Sequence, residues 1–188
     1  VYSGYATPKL RNCIFSSNTA TLGGGAVYQL ANLDCAECTF IGNQDLYHNG
    51  GGALWCLFGV FGGVNIRCCV FTGNRSPNNG GAIRTDDPDA CLISECTFTR
   101  NSGARGGAIW FISGSILIEK TICRDNCATW AGSDDIYADT PVSLTIACSD
   151  VNPNEIDADD VVYEEGVIDL DPMFCDGLAC GLDTGGDY

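Results

Sequence analysis

Apolar positions in this chain come in short runs separated by polar or glycine-rich breaks, and the runs repeat. The form C-x-F-x-x-N appears at Cys13-Ile-Phe-Ser-Ser-Asn18, Cys38-Thr-Phe-Ile-Gly-Asn43, Cys69-Val-Phe-Thr-Gly-Asn74 and Cys96-Thr-Phe-Thr-Arg-Asn101, with a degenerate fifth copy at Thr121-Ile-Cys123-Arg-Asp-Asn126. Each of the first four is followed by Gly-Gly-Ala and a hydrophobic residue: Gly24-Gly25-Ala26-Val27, Gly51-Gly52-Ala53-Leu54, Gly80-Gly81-Ala82-Ile83 and Gly106-Gly107-Ala108-Ile109. The fifth has Gly132-Ser-Asp-Asp135-Ile136 in that place. A third apolar run closes each unit, as in Ser115-Ile-Leu-Ile-Glu119 and Val142-Ser-Leu-Thr-Ile146. No run has helical period. Three short strands per unit, recurring every 25–31 residues, predict an all-β solenoid: a single-stranded, right-handed parallel β-helix with three sheets and about six coils.

The residue types fit that geometry. Side chains alternate along a strand, so Cys and Phe of C-x-F share the inward face and stack from coil to coil. Cys13, Cys38, Cys69 and Cys96 are therefore expected in one core column. Asn18, Asn43, Asn74, Asn101 and Asn126 end their strands at a bend, where an amide side chain can bond to the next bend and satisfy turn backbone. The paired glycines supply positive φ or close backbone approach at the following corner.

Val1-Tyr2 aligns with Val27-Tyr28, so the chain starts in mid-coil, which predicts a longer parent or an end covered by another molecule. The repeat fades after Ile146. Residues 1–146 are read as regular coils, and 147–188 as a last irregular coil with an acidic, loop-rich closure.

Composition narrows the class. With 24 Asp and Glu against 9 Lys and Arg, the net charge is −15, which repels nucleic acid. No apolar stretch reaches the length of a membrane span, and no leader pattern precedes Val1. Thirteen cysteines beside one histidine point to core or disulfide residues and an extracellular or cell-surface setting. The odd count leaves at least one thiol free or paired outside this chain. Cys175 and Cys180, close together in a glycine-containing loop, are the favoured local disulfide.

Candidate chemistry is sparse. Asp86-Asp87 and Asp134-Asp135 lie near turns and read as solvated structural pairs. A histidine-dependent site would rest wholly on His48. Cys35 and Cys38 form a lone CxxC that overlaps the strand pattern, so no zinc site is expected. Calcium is the only ion with candidate ligands, Asp157, Asp159 and Asp160, or the turn of Asp169 and Asp171; otherwise no cofactor is expected. Asn74-Arg-Ser76 has the form of a glycosylation sequon, but the asparagine ladder already uses Asn74. The position two residues after each Ala, or its equivalent, carries Tyr2, Tyr28, Trp55, Arg84, Trp110 and Tyr137. If the preceding residue points inward, these point outward as an exposed aromatic column suited to sugar faces or a partner surface.

The C-x-F-x-x-N and G-G-A-hydrophobic units resemble the repeats of chlamydial polymorphic outer membrane proteins, a β-helical autotransporter family of adhesins. Cys148-Ser-Asp-Val151, Ile168-Asp-Leu-Asp-Pro-Met-Phe-Cys175 and Gly186-Asp-Tyr188 resemble the ends of bacterial surface-anchored β-helix proteins. The fold implied also houses pectate lyases and polygalacturonases, but the repeats show neither a base beside calcium-holding carboxylates nor acid and base aspartates on adjacent coils. The expectation is a non-enzymatic surface protein, structural or adhesive, whose partners are a host or matrix surface. The alternatives are a head-to-tail filament joined through open solenoid ends, and a polysaccharide-binding module or polysaccharide-cleaving enzyme.

Overall fold

The computed structural model describes residues 1–4, 6–47, 50–57, 63–86, 89–130, 132–139 and 142–170. Its strands, two to six residues long, build a parallel β-solenoid. The first sheet stacks Tyr2–Ser3, Val27–Gln29, Leu54–Leu57, Ile83–Asp86, Ile109–Phe111, Ile136–Ala138 and Ile156–Asp157 in that order. The second stacks Lys9–Arg11, Leu33–Ala36, Gly63–Arg67, Ala90–Ser94, Gly114–Glu119, Val142–Ala147 and Val161–Tyr163. The third runs from Ile14–Ser16 through Thr39–Ile41, Val70–Thr72, Thr97–Thr99 and Ile122–Arg124 to Asp150–Val151. Every strand pairs with the strand one repeat away, never with its sequence neighbour, which is the three-sheet coil that the repeat predicts. Pairing continues past Ile146, where Leu144 pairs with Val161 and Ile136 with Ile156.

Register turns each repeated residue into a column. Phe15, Phe40, Phe71 and Phe98 stack with ring centroids 4.7–4.8 Å apart and planes within 7° of parallel, the spacing of adjacent strands. Phe40, Phe71 and Phe98 are fully buried; deleting one such ring would cost about 3–5 kcal/mol. Cys123 and then Val151 continue this column. Aliphatic columns from the other two sheets, among them Leu54, Ile83, Ile109 and Ile136, and Ile66, Ile93, Ile118 and Ile146, complete one continuous core.

Three corners join the strands. At the first, a residue with positive φ precedes the cysteine column: Asn12, Glu37, Cys68, Glu95, Lys120 and Cys148 all have φ of 47–56°. The cysteines thus sit at the corner, just before the strand. At the second, the asparagines form a ladder. Asn74 is typical: its Oδ1 accepts the Asn43 amide at 3.0 Å and Asn43 Nδ2 at 2.9 Å, and its Nδ2 donates to the Phe40 carbonyl at 3.0 Å. At the third, Gly24, Gly51, Gly80 and Gly106 take φ of 56–70°, and a Cβ on the glycine that follows each would overlap a backbone carbonyl of the next coil.

Ten described cysteines are free thiols, and Cys127 is disulfide-bonded to none of them. Burial pushes Cys91 up to about 12 and Cys56 higher still, so neither is a thiolate at neutral pH.

Candidate functional site

The register of the first sheet aligns Tyr2, Tyr28, Trp55, Arg84, Trp110 and Tyr137 in one outward column. Tyr28 stacks on Trp55 at 4.5 Å, and the Arg84 guanidinium lies between Trp55 and Trp110, 4.8 and 4.4 Å from their ring centroids. The expectation of an exposed binding strip fails over the middle of this column. Tyr2 is 68% exposed, but Trp55 is only 8% and Trp110 only 9%. At strand spacing the rings and the guanidinium cover one another's faces, leaving little for a ligand.

Asp86 corrects a second expectation. It is buried rather than solvated, accepting from Arg84 Nε at 2.6 Å, Arg84 Nη2 at 2.9 Å and Trp55 Nε1 at 3.2 Å. The strand Ile83–Asp86 places residues 84 and 86 on one face, so the carboxylate neutralises the sandwiched arginine. Asp139 accepts from Trp110 Nε1 at 2.9 Å, as Asp86 accepts from Trp55. A neighbouring cluster was not anticipated: Arg105 lies 3.7 Å over the exposed Trp130 ring and 4.8 Å from Tyr137, to whose hydroxyl it donates at 2.8 Å. Trp130 follows Arg105 by one coil, in continuation of the Ser102–Cys127 and Gly103–Ala128 pairs, and Tyr137 stands on the first-sheet strand that follows Trp130.

Asp134 and Asp135 are likewise not a solvated pair. Asp134 Oδ1 accepts the Ala128 amide at 2.6 Å, and Asp135 has no exposed surface. Asp157, Asp159 and Asp160 are exposed, and Asp169 pairs with Arg124 at 2.7 Å. Among the described residues no group of three His, Cys, Asp or Glu side chains is placed to hold a metal. Cys35 and Cys38 are core residues; Cys35 Sγ lies 3.9 Å from Cys69 Sγ. His48, Asp87, Asp171, Cys175, Cys180 and the Gly186-Asp-Tyr188 motif lie outside the described residues.

The outer face of the second sheet forms an open trough of about 740 Å³. Asp34, Asn65, Leu92, Leu117 and Thr145 make its floor, one per coil. Small residues, Gly63, Ala90 and Ser115, line one side, and Glu119, Ala147 and Glu164 also line it. Asn65 Oδ1 is buried there without a donor. Arg11 bonds Asp34 and holds its carboxyl below the usual range, and Glu119 accepts from Ser94 at 3.0 Å. The linear sequence hides the trough, since its floor is assembled from residues about 25–31 positions apart.

No curated protein and no solved structure matches the chain. Residues 12–29 and 69–86 match the Chlamydia polymorphic membrane protein repeat, and both segments span an Asn corner and a Gly-Gly-Ala corner or their equivalents in the solenoid. The chain is a parallel β-helix repeat protein similar to the chlamydial polymorphic membrane proteins.

Proposed function

We propose that this chain is part of a non-enzymatic, extracellular β-solenoid displayed at an outer-membrane or cell surface, with a structural and adhesive role. The observation that carries the reading is the polymorphic membrane protein repeat at residues 12–29 and 69–86, set in coils whose recurring polar side chains are spent on stacking. Hydrolases and lyases of this shape need carboxyls with pKa values pushed apart, or a base beside a held cation. In the trough, Asp34 is tied to Arg11 and Glu119 to Ser94, which leaves both carboxylates serving the coils.

The trough is the surface on which an extended partner would lie. Its apolar floor at Leu92 and Leu117 and the exposed carboxylate of Glu164 beside it suit a neutral or cationic chain from a host or matrix surface. A net charge of −15 disfavours polyanions such as nucleic acid. The test is display on a bacterial surface, with antibody labelling of intact cells and adhesion to matrix-coated plates. Labelling and adhesion are expected, with adhesion reduced by Leu92→Asp or Leu117→Asp. Release of reducing ends or unsaturated products from polysaccharide by the purified protein would overturn the non-enzymatic reading.

A further inference from the structure

The third corner carries a column that changes character near its end. Ala26, Ala53, Ala82 and Ala108 precede the paired residues Val27, Leu54, Ile83 and Ile109, and all four are buried. Ile109 pairs next with Ile136, and Ile136 with Ile156, so the following members of the column are Asp135 and Glu155. Two carboxyl groups thus succeed four methyl groups in the same column, Asp135 buried and Glu155 partly exposed.

Asp135 is fully buried, and its backbone amide donates to the Glu155 carbonyl at 3.0 Å. Its Oδ1 accepts from Asn126 Nδ2 at 2.8 Å, which closes the asparagine ladder. The pairing of Cys123 with Val151 makes Asn154 the next rung in register, but Asn154 is exposed and bonds instead to Asn152. Asp135 Oδ2 is buried without a hydrogen-bond partner; the register of Ile136 with Ile156 sets Glu155 beside it on the next coil, and the Cys123 thiol is its other neighbour. Glu155 accepts from Asn152 Nδ2 at 3.0 Å. Carboxylates on adjacent coils, about 4.8 Å apart in this geometry, do not both ionise when one is buried. A proton on Oδ2 resolves the arrangement: Asp135 accepts from Asn126 through Oδ1 and donates to Glu155 through Oδ2.

We propose that Asp135 and Glu155 share one proton at neutral pH, and that this proton is a pH-sensitive latch holding the last coil, residues 152–163, on the solenoid.

The surroundings agree. Burial, and then the Glu155 charge, push the Asp135 carboxyl well above its ordinary range, and burial raises Glu155 as well. Arg124 is the nearby cation, and it is committed to Asp150 at 2.9 Å and Asp169 at 2.7 Å. Asp134 accepts the Ala128 amide, and its charge, after burial, also raises Glu155. Cys123, on the adjacent strand, is itself raised by burial and stays a neutral thiol. The strand Ile109–Phe111 on the other side brings no ionisable group.

Because the closed coil holds the proton more tightly than the open one, closure is strongest below the ordinary carboxyl pKa and weakens as pH rises through the folded value. Each pH unit in that window raises the opening equilibrium up to about tenfold. The experiment is an infrared spectrum at neutral pH together with amide hydrogen exchange over residues 156–163 across a pH series, corrected for intrinsic exchange. The wild type is expected to show a protonated-carboxyl C=O band and opening that grows with pH. Asp135→Asn, which keeps an acceptor for Asn126 and a donor for Glu155, should lose both. Glu155→Gln, at a partly exposed site, removes the neighbouring charge but not the burial, so it should shift both to lower pH, and it keeps the test decisive if the first variant does not fold. Absence of the band in the wild type, or an unchanged pH dependence in the folded variants, would overturn the latch.

Discussion

Thr121 stands one coil beyond Cys96 in the same column, and its hydroxyl does what the thiols before it do. Thr121 Oγ1 accepts the Cys96 amide at 3.3 Å and donates to the Glu119 carbonyl at 2.9 Å. Cys69 Sγ accepts the Cys38 amide at 3.4 Å and donates to the Arg67 carbonyl at 3.1 Å. Ser149 continues the pattern, accepting the Thr121 amide at 3.1 Å and donating to the Ala147 carbonyl at 2.7 Å. The cysteine column is a column of small donor–acceptor side chains that fold the corner back on itself.

Substitution at Cys69 should therefore reverse the order usual for a core cysteine. Cys69→Ser keeps a partner for the buried Cys38 amide, whereas Cys69→Ala orphans it at a cost of about 1–3 kcal/mol. Urea denaturation should give alanine the lower midpoint. A lower midpoint for serine would reduce the column to packing alone.

The asparagine ladder predicts a gradient along the solenoid. Asn74→Ala strips partners from the Asn43 amide, from Asn43 Nδ2 and from the Phe40 carbonyl, which together should cost about 3 kcal/mol or more. Asn18→Ala, at an exposed rung that donates its Nδ2 to Asn43, should cost about 1 kcal/mol. Equal losses of stability at the two sites would contradict a ladder of buried bonds.

Two glycines separate conformational strain from steric exclusion. Gly42 has φ of 58°, and the nearest atom to an added Cβ is Ser17 Oγ at 3.9 Å; its column elsewhere holds Ser17, Arg100 and Asp125 at similar φ. Gly42→Ala should cost only the left-handed backbone strain, about 1–2 kcal/mol. At Gly81 the added Cβ would overlap the Gly107 carbonyl oxygen of the next coil, so Gly81→Ala should prevent that coil from stacking. Thermal unfolding of the two variants distinguishes them, and a stable, cooperative Gly81→Ala protein would refute the close approach.

Thiol labelling should sort the free cysteines by place. Cys68 and Cys148 are exposed, whereas Cys35, Cys38, Cys56, Cys69, Cys91, Cys96 and Cys123 are buried, so the first two should alkylate in the native protein and the others after unfolding. The Cys68 thiol donates to Glu95 at 3.2 Å, and that bond raises its pKa. Glu95→Gln should make Cys68 alkylate faster at neutral pH, because the thiolate is the reacting form. An unchanged rate would remove Glu95 as the cause.

The repeat was legible because a solenoid writes its structure locally. C-x-F states which residues point inward, Asn states where the chain bends, and Gly-Gly-Ala states where backbones touch, so all-β class, parallel stacking and three sheets follow from one unit and its recurrence. The copies that depart from consensus were legible only as departures. Thr121 for Cys and Cys123 for Phe could be aligned, but their equivalence in hydrogen bonding and packing needed the register.

The sequence by itself determined the coil: its strands, its corners and the columns of like residues, since each depends on neighbours a few positions away. The tertiary structure alone decided which faces remain open. Trp55 and Trp110 point outward as their strand parity requires, yet stacking at strand spacing covers them. Asp86 and Asp135 read as turn residues, yet one is drawn in by an arginine on its own strand and the other inherits an interior alanine position. The trough over the second sheet draws one floor residue from each of several coils. Exposure, charge pairing and proton sharing depend on what lies one coil above and below, at a distance in sequence that varies with every loop, and no local pattern encodes it.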